Sequence, residues 1–221
     1  MSNRVRIWDL PTRIFHWALA AAVIGLFITA YTGGNAMVWH FRLGYTVLAL
    51  LAFRIVWGLV GGRWSRFASF IYSPTSLSRY LRGQSHPDHL VGHNPLGAGS
   101  VFALLGFLAA QVATGLISDD EIAFAGPLTK FVSGATVSRA TWYHKDVGQW
   151  VLAGLVALHV AAILFYLWRK KENLVRPMIV GDKRVHTGVQ PSRDDALSRI
   201  AAAMVLGICG ALVAWLVGLV G

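Results

Sequence analysis

The chain has 221 residues, with twenty Lys and Arg against ten Asp and Glu and a net charge of +10. On charge alone that balance suits a nucleic-acid binder. Charged residues nevertheless make up only 14% of the chain, against about 25% in soluble domains. Hydrophobic residues reach 55%, Trp occurs nine times and the mean hydropathy is +0.54. The apolar residues also fall into five nearly uncharged blocks of about 20 residues, the length a helix needs to cross a bilayer. A soluble enzyme and a DNA-binding domain are thereby excluded; the chain reads as an integral membrane protein.

In chain order the blocks are Ile14 to Gly33, about His40 to Gly61, Leu96 to Ile117, Val147 to Trp168, and Ile200 to Val220. None contains Pro, and each is too long for a strand, so five helices are expected rather than the short alternating segments of a barrel. The first block carries His16 and Trp17 where a secretory signal would carry a simple basic region, and it is expected to span rather than be cleaved.

Charge predicts the orientation. Fifteen basic residues fall on one side: Arg4, Arg6 and Arg13 before the first helix, four between residues 63 and 82, and eight between residues 169 and 199. The other side holds only Arg42, Lys130, Arg139 and Lys145, with Arg54 inside the second span. The positive-inside rule puts the N-terminus in the cytoplasm and the C-terminus outside. A membrane bounding the cytoplasm is the expected location.

Gly34 to Trp39 reads as a tight turn, and residues 62–95 as a cytoplasmic loop with a short surface helix from Pro74 through Leu81. Residues 118–143 form the expected external loop, opening with Asp119, Asp120 and Glu121. It is either a landing face for an extramembrane partner or a plain connection. Residues 185–199 read as a polar linker before the fifth span at 200–221. The sole cysteine, Cys209, allows no internal disulfide or iron–sulfur site, and the absence of a CxxCH motif excludes covalent c-type haem.

The eight histidines carry the functional signal. His16 opens the first span, His40 the second and His144 the fourth, while His159 lies deeper in the fourth. Any one of them alone could be an interfacial anchor. As a set they form two levels. His144 and His159 are 15 residues apart, roughly 22 Å along a helix and about 60° around it. His159 thus reaches the level of His16, and His144 shares the level of His40. Each pair joins two helices, and two facing imidazoles suit the iron of a flat haem. Zinc would want a third and fourth ligand, which neither pair has.

The second span adds a stripe with His40, Gly44, Arg54 and Gly58 nearly in line, offering a ligand, gaps for a ring and a cation. Arg54 meets either a haem propionate or, by snorkelling, the cytoplasmic surface. Arg13 and Arg42 flank the two levels, as propionate partners or as ordinary interface cations. His93 precedes the third span in "GHNPLG", where Asn94 caps the helix and Pro95 enters its first turn. Edge structure, a propionate or quinone contact, and ligation all stay open for it. The tryptophans cluster near span ends as an aromatic belt.

Several separated motifs together resemble the bacterial cytochrome b-561 family, which includes cytochromes similar to the cytochrome b subunit of nickel–iron hydrogenases. They are "WDLPTRIFHW" at 8–17, "WHFRLGYTVLALLAFRIVWG" at 39–58, "GHNPLGA" at 92–98, "HKDVGQWVLAGLVALHV" from 144 and "KKENLVRPMIVGDKR" at 170–184. The resemblance implies an all-α four-helix transmembrane bundle over residues 1–184, holding two non-covalent b-type haems. His16 with His159 and His40 with His144 would be the axial ligands. The 144–159 spacing is one residue longer than the 14 of many relatives, and the fifth helix lies beyond the shared core.

The function so implied is electron transfer across the membrane, between the quinone pool and a periplasmic redox protein such as a c-type cytochrome, a hydrogenase or a dehydrogenase. Two alternatives stand beside it: a superoxide oxidase passing electrons to ubiquinone, and a haem-containing membrane anchor subunit. Two ligands on each iron leave no open position for oxygen chemistry. A transporter would need a polar pathway or broken helices, and the sequence has neither.

Overall fold

A computed structural model describes residues 2–84, 89 and 91–218; His86 and the end of the fifth apolar block, residues 219–221, lie outside them. Eight α-helices are present: α1 (Leu10–Thr32), α2 (Ala36–Val60), α3 (Pro74–Leu81), α4 (Pro95–Gly115), α5 (Gly134–Trp142), α6 (Gln149–Trp168), α7 (Val175–Val180) and α8 (Ala196–Gly218). Two strands, β1 (Ser2–Arg6) and β2 (Asp182–His186), accompany them. Five helical runs are long and apolar enough to cross a membrane: α1, α2, α4, α8 and the continuous run Gly134–Trp168. Their outward faces carry apolar side chains such as Ile28, Leu59, Leu158 and Leu212, each more than half exposed. Helical spans satisfy every backbone group internally, so such faces rest against lipid without cost. The chain is an all-α, multi-pass membrane protein.

The fourth run begins earlier than its apolar stretch. Ser133 accepts a hydrogen bond from the Thr136 amide at 3.3 Å and starts α5, so nine residues at the end of the expected external loop are helix. Between α5 and α6 the backbone makes one π turn, Tyr143–Gly148. A π turn holds one residue more than an α turn. His144 lies inside this turn. The short helix α3 forms as expected, with Ser73 as its cap and Pro74 in its first turn. Asn94 likewise caps α4 through the Gly97 amide at 2.8 Å.

The contacts divide the chain into two compact units. One comprises the chain up to His16, Arg54–Ala103 and Leu158–Val205. Its core is Ile7, Trp8, Val91 and Val185. The antiparallel pairing of β1 with β2, Arg4 opposite Arg184, was not legible as strand in so polar a segment. The β2 strand straddles residue 184, and the residues after it fold back. Ser192 donates to the Ile7 carbonyl at 2.7 Å. Asp194 accepts from the Leu10 amide at 3.1 Å and pairs with Arg6 and Arg199. Burial raises the Asp194 carboxyl, but these donors outweigh it and hold the group below its ordinary value. The same unit holds Asp9, a fully buried carboxylate. It caps α1 through the Thr12 amide and accepts from Trp57, the Gly62 amide and Ser65. One acidic side chain thereby locks the start of α1 to the end of α2.

The other unit comprises Trp17–Phe53, Leu104–Ala157 and the chain from Leu206 onward. Ala22, Val47, Leu51, Leu108, Val112 and Leu152 form its core.

Candidate functional site

Each histidine pair lies within one unit. In the first, His16 of α1 and His159 of α6 stand with ring centroids 6.4 Å apart. In the second, His40 of α2 and His144 of the π turn stand 6.1 Å apart. An iron between two imidazole nitrogens, at about 2.0–2.1 Å from each as in other first-row metal–imidazole bonds, sets the two centroids roughly 6 Å apart. Both separations therefore suit one iron apiece. Among the described residues no group of three or more His, Cys, Asp or Glu is placed to hold a metal ion.

Hydrogen bonding fixes the rings of the second pair. His40 Nδ1 lies 3.1 Å from the Leu26 carbonyl and 3.3 Å from the Thr29 hydroxyl. His144 Nδ1 lies 2.9 Å from the Gln111 carbonyl. A carbonyl only accepts, so each Nδ1 carries the proton and each Nε2 keeps its lone pair for a ligand. Beside the pair opens a cavity of about 680 Å³, lined by Leu26, Phe27, Gly44, Tyr45, Gln111 and Phe124 among others. That volume lies in the usual range for cofactor sites, about 300–1,000 Å³. Gly44, expected from its place in the stripe to leave a gap, borders open space.

The rest of the stripe behaves differently. A Cβ on Gly58 would collide with the Phe67 ring, so this glycine makes room for an aromatic side chain and not for a porphyrin. The same ring lies under Arg54, 4.5 Å from the guanidinium carbon. Arg54 is only 4% exposed, which sets the snorkelling reading aside. Its Nη1 is buried with no hydrogen-bond partner among the described residues, an expensive arrangement that asks for an anion.

Arg13 and Arg42 make contacts of their own. Arg13 donates to the Ile179 carbonyl at 2.6 Å and lies 3.9 Å from Asp194. Arg42 is exposed and stacks over Trp39, its guanidinium carbon 5.0 Å from the ring. His93 packs between Trp8 and Phe70, with centroids 4.7 and 4.6 Å away. Burial, then the charges of Arg54, Lys183, His159 and His16, push its pKa down to about 3. His93 is therefore neutral at physiological pH and shares the surroundings of Arg54 and the first pair.

Of the three loop acids, two turn inward. Asp120 accepts from the amides of Ile122, Ala123 and Phe124, each at 2.9 Å, and these bonds hold its carboxyl below its ordinary value. Asp119 accepts from the Glu121 amide at 2.7 Å. Both also border the cavity beside His40 and His144. Glu121 is the exposed member.

Sequence reasoning missed Asp9, Phe67 and Gln111. Asp9 three residues before Thr12 carried a capping signal. Gln111 is the sole amide side chain of the third apolar block, and a polar side chain in a span is a functional candidate by default. Phe67 carried no signal.

Apolar transmembrane helices that bring histidines together in facing pairs define a membrane cytochrome of the b type. The profile of the prokaryotic cytochrome b561 family matches residues 7–181, and the chain belongs to that family. Among curated proteins it is similar to the probable Ni/Fe-hydrogenase B-type cytochrome subunit of Bradyrhizobium diazoefficiens, 23% identical over 218 residues that cover 81% of this chain and 86% of that one. The subunit of the same name from Azotobacter vinelandii is 25% identical over 213 residues, covering 80% and 87%. The probable Ni/Fe-hydrogenase 1 B-type cytochrome subunit of Escherichia coli K12 is 22% identical over 210 residues, covering 79% and 88%. No solved structure matches the chain.

Proposed function

We propose that this cytochrome carries two b haems, one between His16 and His159 and one between His40 and His144. We propose that it relays electrons between a membrane quinone and a redox protein on the periplasmic side. The observation that carries the reading is the pair of imidazole separations, 6.4 and 6.1 Å, each suited to one iron. The cavity beside the second pair supports it, and so does the unpartnered Arg54 Nη1, which suits a haem propionate. Bound haem supplies one-electron redox chemistry; the chain's own residues hold the ring, fix the ligand tautomers and set local charge.

The relatives, cytochrome subunits of Ni/Fe-hydrogenases by name, favour a nickel–iron hydrogenase as the partner. The distribution of basic residues favours an N-terminus in the cytoplasm, a C-terminus in the periplasm and residence in the inner membrane.

The test is haem content and redox titration of the purified protein and of four alanine variants. The parent is expected to bind two low-spin b haems per chain. His16→Ala and His159→Ala should each remove or alter one haem, and His40→Ala and His144→Ala the other. Full occupancy with unchanged spectra in any variant would strike that histidine from the ligand set. His93→Ala is expected to retain both haems.

A further inference from the structure

We propose that Gln111 is a positioning residue that sets the orientation of His144 and, through it, the reduction potential of the haem at the His40/His144 pair. The inference rests on the bis-histidine reading of that pair.

Two hydrogen bonds join Gln111 to His144 in opposite senses. The Gln111 side-chain amide donates to the His144 main-chain carbonyl at 2.8 Å. The Gln111 main-chain carbonyl accepts the His144 Nδ1 proton at 2.9 Å. Together they close a ring between α4 and the π turn: the carboxamide anchors the His144 backbone and the main-chain carbonyl anchors its imidazole, so a shift of that backbone away from α4 lengthens the Nδ1 bond as well.

The packing around this ring is cut to fit it. A Cβ on Gly115 would stand 2.8 Å from His144 Cε1. A Cβ on Gly148 would collide with the Gln111 carboxamide oxygen. That oxygen is buried and has no hydrogen-bond partner among the described residues. A buried amide left half satisfied costs stability, which suits a group held for the bond its other end makes. The π turn supplies the remaining element, because His144 sits within it and the loosened backbone lets its carbonyl and its ring address the same residue of α4.

The consequence for the metal follows from ligand basicity. A carbonyl that accepts the Nδ1 proton makes Nε2 a stronger donor, and a stronger donor favours the ferric state. By keeping the His144 backbone against that carbonyl, the Gln111 side chain would hold the potential of this haem down.

The experiment uses the full chain in detergent or nanodiscs and the variant Gln111→Met, which keeps the side-chain length and removes both polar ends. Two haems per chain are expected to remain. The reduction equilibrium of the His40/His144 haem should shift about tenfold toward the ferrous state, which is about 59 mV for one electron. Its ferric low-spin resonance should move as well, while the other haem keeps its midpoint and its signal. Identical midpoints and resonances in parent and variant overturn the inference.

If Gln111→Met sheds that haem, Leu108→Ala in the same core is the packing control. Loss in both variants overturns the role of Gln111, and loss in Gln111→Met alone supports it. A parent protein whose His144→Ala variant keeps both haems unaltered fails earlier, at the ligand assignment, and takes this inference with it.

Discussion

A charged side chain inside a bilayer is costly, and Arg54 shows how that cost identifies a function. Its guanidinium is 4% exposed, rests on Phe67 and leaves Nη1 without a hydrogen-bond partner among the described residues. The one carboxylate on the adjoining turns, Asp9, already accepts from Thr12, Trp57, Gly62 and Ser65. An anion from outside the chain would satisfy the remaining donor, and a haem propionate is an anion of that kind. A cation beside a haem opposes the extra positive charge of the ferric state, so its removal should stabilise that state. Arg54→Met keeps the length of the stem and removes the charge. The midpoint of the His16/His159 haem is expected to fall, by an amount equivalent to about tenfold in its reduction equilibrium, or about 59 mV. A redox titration that leaves this midpoint in place would assign Arg54 to packing alone.

At the scale of elements, the π turn would let the 15-residue spacing of the two proposed ligands, His144 and His159, serve the helical phase of 14. A straight α-helix of 15 residues turns His144 about 60° from His159, and one of 14 about 40° the other way; the wide turn at Tyr143–Gly148 restores the second phase. Deleting the exposed Lys145 should therefore convert the turn to regular helix and keep both haems. Deleting Lys145 and Asp146 together should rotate His144 by about 100° and strip the haem from the His40/His144 pair. A haem assay on the two deletions checks this; loss in the single deletion would show that the turn does not absorb the extra residue. Elements of this kind mark the limit of the sequence. The spans were legible because apolar length alone signals a membrane helix. The level of each histidine was legible because helical rise fixes depth, though the twist between His144 and His159 was not, since the π turn alters it; α3 and the Asn94 cap were legible because Ser, Asn and Pro carry local backbone signals. The strands β1 and β2 were not legible, because alternating Arg, Val, Asp and Lys in five-residue segments gains its structure only from the partner strand. Nor was α5, whose Gly, Ala, Thr and Ser composition is weakly helical until Ser133 caps it. The packing of the Phe67 ring against Gly58 depends on a residue of a different segment and lies beyond any periodicity argument.

At the scale of the whole molecule, charge and chemistry together predict where electrons enter and leave. With basic residues favouring the cytoplasmic side as they do, the loop from Ser118 and helix α5 would face the periplasm. An acidic docking surface was the expectation there, yet Asp119 and Asp120 spend their carboxylates on their own turn. Glu121 and Asp146 remain exposed, and so do Lys130, Arg139 and Lys145, a mixed set of charges that would steer a protein donor weakly. Glu121→Gln is therefore expected to change the rate of haem reduction by an external protein donor less than twofold at low salt. Asp120→Asn should act by loosening the turn beside the cavity, slowing reduction equally at low and high salt. Stopped-flow reduction at two ionic strengths separates these outcomes: a large, salt-screened loss in Glu121→Gln would restore the acidic docking surface. The same preparation in sealed vesicles tests the other terminus. Quinol in the bilayer should reduce the haems, or quinone should oxidise prereduced ones, with His16→Ala interrupting the exchange while the other haem still answers the external donor. If neither quinol nor quinone changes the absorption of either haem, the membrane partner is not a quinone.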